Sequence, residues 1–152
     1  MQIIVLDTNV LIAGVQDESS YAFRIIDACI KKKVQAVFNR PLLKENKLKS
    51  RELIKERDYL RILEDFYKKA KSIPHRSRVK VVKWDEEDNK LVEAAIDGRA
   101  EFIVTEDNDL LFLGEYNKIK MVTPQEFWRH YQAASEDNGE WNDWMKGIMN
   151  DS

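Results

Sequence analysis

The chain has 152 residues, 34% of them charged and 43% hydrophobic, and a net charge of −2. One domain of this length buries a real core, and the composition is that of a soluble globular protein. No apolar run approaches the ~20 residues that a membrane span needs. Cys29 is the sole cysteine, which excludes an internal disulfide and a cysteine-based zinc site. The N-terminus runs straight into strand-like sequence, so no signal peptide is expected, and a cytoplasmic location fits.

Residues 2–6 are short, apolar and β-branched, the pattern of a fully buried strand. Ala22, Ile25, Ile26, Cys29 and Ile30 recur at helical spacing, with Ser19 or Ser20 placed to cap the start. Lys31, Lys32 and Lys33 are expected on its last turn, where cations complement the helix dipole. Residues 34–38 read as a second strand, and Pro41 suits the first turn of a helix carrying Leu42, Leu43 and Glu45. A longer helix is expected over 51–71, with Leu53, Leu60, Leu63, Tyr67 and Ala70 on one stripe and Pro74 at its end. Val79, Val81 and Val82 mark a short strand. Asp85 is placed to cap a helix whose inner face holds Leu91, Ala94 and Ala95 and which Gly98 ends. Residues 101–105 form another strand, 107–113 a short helix and 119–122 a last strand. The capping-box run Thr123-Pro124-Gln125-Glu126 opens a closing helix through Tyr131.

Strands alternating with helices argue for a parallel sheet with right-handed crossovers. The domain is expected to span residues 1–132. Residues 133–152 form an acidic linker and a short amphipathic helix, with Trp141, Trp144, Met145, Ile148 and Met149 on its apolar face. That helix either folds back on its own domain or docks on a partner.

Four acidic motifs fall where strands give way to helices: Asp7 after Ile3–Leu6, Glu45 beyond residues 34–38, Asp88 in residues 85–89, and Asp107 after residues 102–105. Each alone has an ordinary use as a helix cap, a first-turn acid or a solvated side chain. Together they occupy one kind of topological position, the crevice over the carboxyl edge of the sheet where open α/β folds bind ligands. Carboxylates gathered there repel by several kcal/mol unless a cation neutralises them, and that points to a divalent-metal site. Charge elsewhere is uneven. Between Arg40 and Lys83 there are 15 Lys+Arg against 6 Asp+Glu, a distribution suited to a polyanionic substrate and equally to a solvated helical surface. His75 and His130 are isolated and expected on the surface. No glycine-rich phosphate loop is present.

The segments Val5–Ile12, Leu42–Glu45, Asp85–Lys90, Ala94–Ala95, Ile103–Leu111 and Val122–Phe127, in that order and spacing, resemble the PIN domain, the metal-dependent nuclease module of many prokaryotic toxins. The resemblance covers residues 2–131. It implies a three-layer α/β/α sandwich with a central parallel sheet. It also implies that Asp7, Glu45, Asp88 and Asp107 are catalytic acids holding one or two Mg²⁺ or Mn²⁺ ions, with Asp109 assisting and Asn9 and Thr105 as polar supports. The implied activity is endoribonucleolytic cleavage of single-stranded RNA, leaving a 5′-phosphate and a 3′-hydroxyl. The implied setting is a toxin–antitoxin pair, in which the toxin forms a homodimer and a small antitoxin blocks it. Lys and Arg residues from 40 to 83 would hold the RNA backbone, and Tyr59, Phe66 and Tyr67 are candidates to stack bases. Two departures stand out: Glu106 adds a negative charge at the mouth, and Asn46 replaces a frequent aromatic. Two other readings remain. One is a PIN-like scaffold that binds RNA or protein without cutting. The other is a phospho-acceptor receiver domain, which should show adjacent acids after its first strand and a lysine after its last.

Overall fold

A computed structural model describes residues 1–80 and 86–135. The expected strand positions Val81 and Val82, the cap Asp85, residues 136–140 of the linker and the tryptophan-bearing C-terminal helix lie outside them.

Among the described residues six strands form one sheet: β1 (Ile3–Leu6), β2 (Gln35–Asn39), β3 (Lys71–Ile73), β4 (Phe102–Val104), β5 (Glu115–Tyr116) and β6 (Ile119–Val122), in the order β3-β2-β1-β4-β6-β5. All neighbours run parallel except β5, which pairs antiparallel with β6. The helices are α1 (Thr8–Gln16), α2 (Tyr21–Ile30), α3 (Arg40–Leu53), α4 (Arg57–Lys69), α5 (Glu86–Asp97) and α6 (Asn108–Leu113), with α7 over 124–135. Helices α1, α2 and α4 pack on one another, while α5 packs on β1, β2 and β4. The result is the expected three-layer α/β/α sandwich around a mostly parallel sheet. The central strands are apolar throughout because both their faces are covered: Ile4, Val5, Leu6, Ile103 and Val104 are fully buried.

Several local expectations need correction. Helix α1 was not expected. Its residues 10–15 are buried almost all round, so they show no amphipathic period. The single helix expected over 51–71 is two helices broken at 54–56, where Ile54 turns extended and is buried. Leu53 therefore ends α3 and is 58% exposed, off the stripe that Leu63 and Phe66 bury. Helix α4 stops at Lys69, and the edge strand β3 intervenes before Pro74. Val79 lies outside any strand. Ser20 caps α2 as expected, its hydroxyl accepting from Phe23 N–H at 3.1 Å. Lys31–Lys33 fall past the last turn, with Lys31 as C-cap and Lys32 turning the chain at φ 59°. Helix α7 continues to 135, through three residues (133–135) expected in the linker.

One element bridges the two helical layers. Asn39 caps α3 through Leu42 N–H at 3.0 Å, and Pro41 sits in the first turn. From there α3 touches α1 on one side and α5 on the other, lying across the carboxyl edge of the sheet.

Candidate metal centre

The chain leaves β1 toward β2 on one side, and β4 pairs with β1 on the other, so the β1–β4 border is the switch point of the sheet. Leu6 pairs with Val104 at its carboxyl end, and Asp7 N–H donates to Val104 O at 3.0 Å. Asp7 is thereby fixed at the head of α1. Its side chain makes no capping hydrogen bond there and accepts instead from the Thr105 hydroxyl, at 2.9 Å. Thr105 is fully buried, and its hydroxyl oxygen also accepts from Asp107 N–H at 3.0 Å. One threonine thus ties together the acids that follow β1 and β4. Asp107 does cap α6, but with one oxygen, Oδ1, which accepts from Asp109 N–H at 2.8 Å.

Asp7, Glu45, Asp88 and Asp107 line one cleft of about 70 Å³, together with Thr8, Asn9, Leu42, Lys49, Glu87 and Leu91. The four acids singled out in the sequence come together there. Asp109 joins from the exposed rim: one carboxylate oxygen each of Asp88, Asp107 and Asp109 lies within 4.8 Å of the others. Asn9 lines the cleft from an exposed position. Burial pushes the Asp7 carboxyl above its ordinary range and the Asp107 charge adds to this, against the Thr105 hydroxyl and the nearby Asn9 N–H. Burial likewise raises Glu45, with Glu87 adding to the rise. Glu87 moves the opposite way, held down first by its hydrogen bond with Glu45.

Asn46, Lys49 and Glu87 belong to the site without having been singled out as part of it. Asn46, fully buried, accepts a hydrogen bond from the Thr8 hydroxyl and so ties α3 to α1, fixing Glu45 beside Asp7. Its amide suits this polar tie, where an aromatic ring would lack the acceptor. Lys49 forms ion pairs with Glu45 at 3.2 Å and Glu87 at 3.3 Å. The Glu45–Lys49 spacing of four residues was a legible signal, whereas the contact with Glu87 depends on how α3 meets α5. Other expectations are corrected. Glu106 lines a neighbouring cleft with Val10, Pro124 and Gln125, away from the acidic mouth. His75 is not isolated: its Nε2 meets the buried Glu93 at 2.9 Å. Phe66 is fully buried in a cluster of edge-on rings with Phe38 and Tyr67, so it cannot stack on bases. Tyr67 hydrogen-bonds Ser50 and lines a groove between α3 and α4.

The acidic groups that line this cleft beside Lys49, Thr8 and Asn9 offer carboxylate oxygens, and hard oxygen donors suit Mg²⁺ or Mn²⁺ over softer metals. The oxygens of Asp88, Asp107 and Asp109, within 4.8 Å of one another, are close enough to share one small cation, and the volume admits an ion and a water or two. The residues fit a divalent ion.

Fold and site together define an α/β protein with an acidic cleft at its sheet switch point. A sequence profile of the PIN domain matches residues 3–109, and the chain belongs to the PIN domain family. These domains are nucleases that typically use divalent metal, so the receiver-domain reading falls. The fold is also similar to a chain in the crystal structure of VapBC2 from Rickettsia felis bound to a DNA fragment from their promoter. That similarity has a TM-score of 0.56 at 14% identity and covers 79% of this chain and 97% of the other. A search of curated proteins returned no match. Among the described residues no helix is long and apolar enough to cross a membrane.

Proposed function

We propose that this protein is a divalent-metal-dependent endoribonuclease that cleaves single-stranded RNA, and that it is the toxin of a toxin–antitoxin pair. The observation that carries the reading is the convergence of Asp7, Glu45, Asp88 and Asp107 on one small cleft. Asp7, Asp88 and Asp107 are the principal ligands in this reading, Asp109 contributes from the rim, and Glu45 closes the set. A bound Mg²⁺ or Mn²⁺ would supply Lewis acidity, lowering the pKa of water and offsetting charge on phosphate oxygens. The protein's own work is positioning. Thr105 holds Asp7 and Asp107 in register, the Thr8–Asn46 bond fixes α3 against α1, and Leu42 and Leu91 give the cleft apolar walls.

Substrate backbone would be held by cations close to these acids. Arg78, Lys80 and Lys90 line a cleft of about 520 Å³ that shares the first turns of α5 with the acidic site. Charges so placed attract a polyanion and orient it toward the acids. The VapBC2 likeness supports an antitoxin partner, a small protein in the family pattern, and the toxin itself would act as a homodimer in the cytoplasm. A non-catalytic RNA- or protein-binding scaffold is the second reading, and the Lys49 ion pairs favour it, because they offset part of the charge a metal would otherwise neutralise.

The test is cleavage of single-stranded RNA by the purified protein with Mn²⁺ or Mg²⁺, with EDTA as control. Asp7→Asn should lose at least roughly a hundredfold in rate, since even residues that only support a metal ligand cost 10–100-fold. A variant that cuts as fast as the parent removes Asp7 from the site, and a parent that never cuts favours the scaffold.

A further inference from the structure

We infer that Lys49 is a built-in counter-ion that occupies the metal side of Glu45 until a divalent cation displaces it, so that Lys49 sets how tightly the site binds metal. The inference rests on the metal-site reading above and concerns a residue which that reading does not use. The ammonium bridges two carboxylates, Glu45 at 3.2 Å and Glu87 at 3.3 Å, and lines the same cleft as Asp7, Asp88 and Asp107. The two partners differ in surroundings. The side chain of Glu45 is 19% exposed, facing the cleft, while that of Glu87 is 57% exposed at its rim.

Two positive charges cannot share Glu45 at contact distance without strong repulsion. When a divalent ion takes the Glu45 carboxylate, Lys49 gives up the inner partner and keeps the outer one. The four-carbon stem of lysine makes that move with little strain. Glu87 is then the residue that retains the displaced ammonium at the rim, close to where a phosphate would arrive. Without metal, the same lysine relieves repulsion between Glu45 and Glu87. The site therefore exchanges one cation for another instead of opening onto bare negative charge.

The test is Mn²⁺ titration of the full chain, followed by the electron paramagnetic resonance of free Mn²⁺, for the parent, Lys49→Met and Lys49→Arg. Removing one positive charge about 5 Å from a divalent ion should tighten binding by at least about tenfold. Lys49→Arg, which keeps the charge, should bind as the parent does. Lys49→Gln repeats the measurement with a polar side chain should the Met variant fold poorly. Melting in EDTA separates a counter-ion from a bystander charge: Lys49→Met should melt below the parent without metal, and the gap should close under saturating Mn²⁺. Unchanged or weaker Mn²⁺ binding by Lys49→Met, or a gap indifferent to Mn²⁺, overturns the inference and leaves the metal site standing. A parent that does not bind Mn²⁺ at all overturns both.

Discussion

Replacing Thr105 by Val keeps the shape of a fully buried side chain and removes only its hydroxyl. Two hydrogen bonds go with it: the donation to Asp7 Oδ2 at 2.9 Å and the acceptance from Asp107 N–H at 3.0 Å. The first involves an ionisable acid and is worth about 1.5–3 kcal/mol when the acid is charged, and the second leaves a backbone donor without its acceptor at about 1–3 kcal/mol. Allowing for partial relaxation, we expect a loss of roughly 3 kcal/mol, which lowers Tm by about 6–12 °C for a chain of this size. Because the hydroxyl also aims Asp7, Mn²⁺ affinity should fall by about 10–100-fold, as when other supports of metal ligands are lost. Calorimetry in EDTA reads the first effect and Mn²⁺ titration the second. Thr105→Ser, which restores the hydroxyl, should recover most of the affinity. A Thr105→Val protein that melts within about 2 °C of the parent and binds Mn²⁺ equally well refutes the idea that this hydroxyl organises the site.

Asp7→Asn, besides losing activity, should melt at or above the parent in EDTA, because burial disfavours the carboxylate it replaces; a clearly lower melting point would mean that Asp7 serves folding. Asp97 accepts from Arg76 N–H, Ser77 N–H and the Ser77 hydroxyl, and these bonds outweigh burial to hold it below its ordinary value of 3.8. Its contribution is complete above pH 3.8 and is lost as pH falls through the depressed value. Asp97→Ala should therefore cost about 1–2 kcal/mol near neutrality in denaturant melts, with the difference from the parent shrinking at low pH. Gly14→Val tests the α1–α2 contact: a Cβ there would meet Ile26 Cδ1 at 2.8 Å and Ala22 Cβ at 3.0 Å. The expected loss is roughly 1–3 kcal/mol in the same melts, and an unchanged midpoint would show that the two helices pack loosely.

The strands nearest the site were legible because a parallel strand covered on both faces must be apolar along its whole length, as in Ile3–Leu6 and Phe102–Val104. The acids beyond their ends were legible from the same contrast: Asp7 is the first polar residue after β1, and Asp107 follows β4 by way of Thr105 and Glu106. Helix α1 was hidden because Val10, Leu11, Ile12, Gly14 and Val15 are all buried, which erases the polar face that betrays a helix. The break between α3 and α4 carries neither glycine nor proline, and β3 is three residues with one buried side chain. The β5–β6 turn uses Asn117 and Lys118 at positive φ without a glycine to advertise it. Within the site, the Thr8–Asn46 bond and the Lys49–Glu87 pair join positions 38 residues apart. Such contacts follow from how α3 lies across the sheet edge, and no local periodicity encodes them.

Among the described residues, both borders of the sheet are short. On one side β3 offers three residues, and on the other β5 offers two, already committed to a hairpin. A foreign strand seeking to extend the sheet would find few amides to grip, which is one way that proteins resist edge-to-edge aggregation. A polypeptide that bound this molecule would then have to use its helical faces, through side-chain fit instead of backbone laddering at these edges.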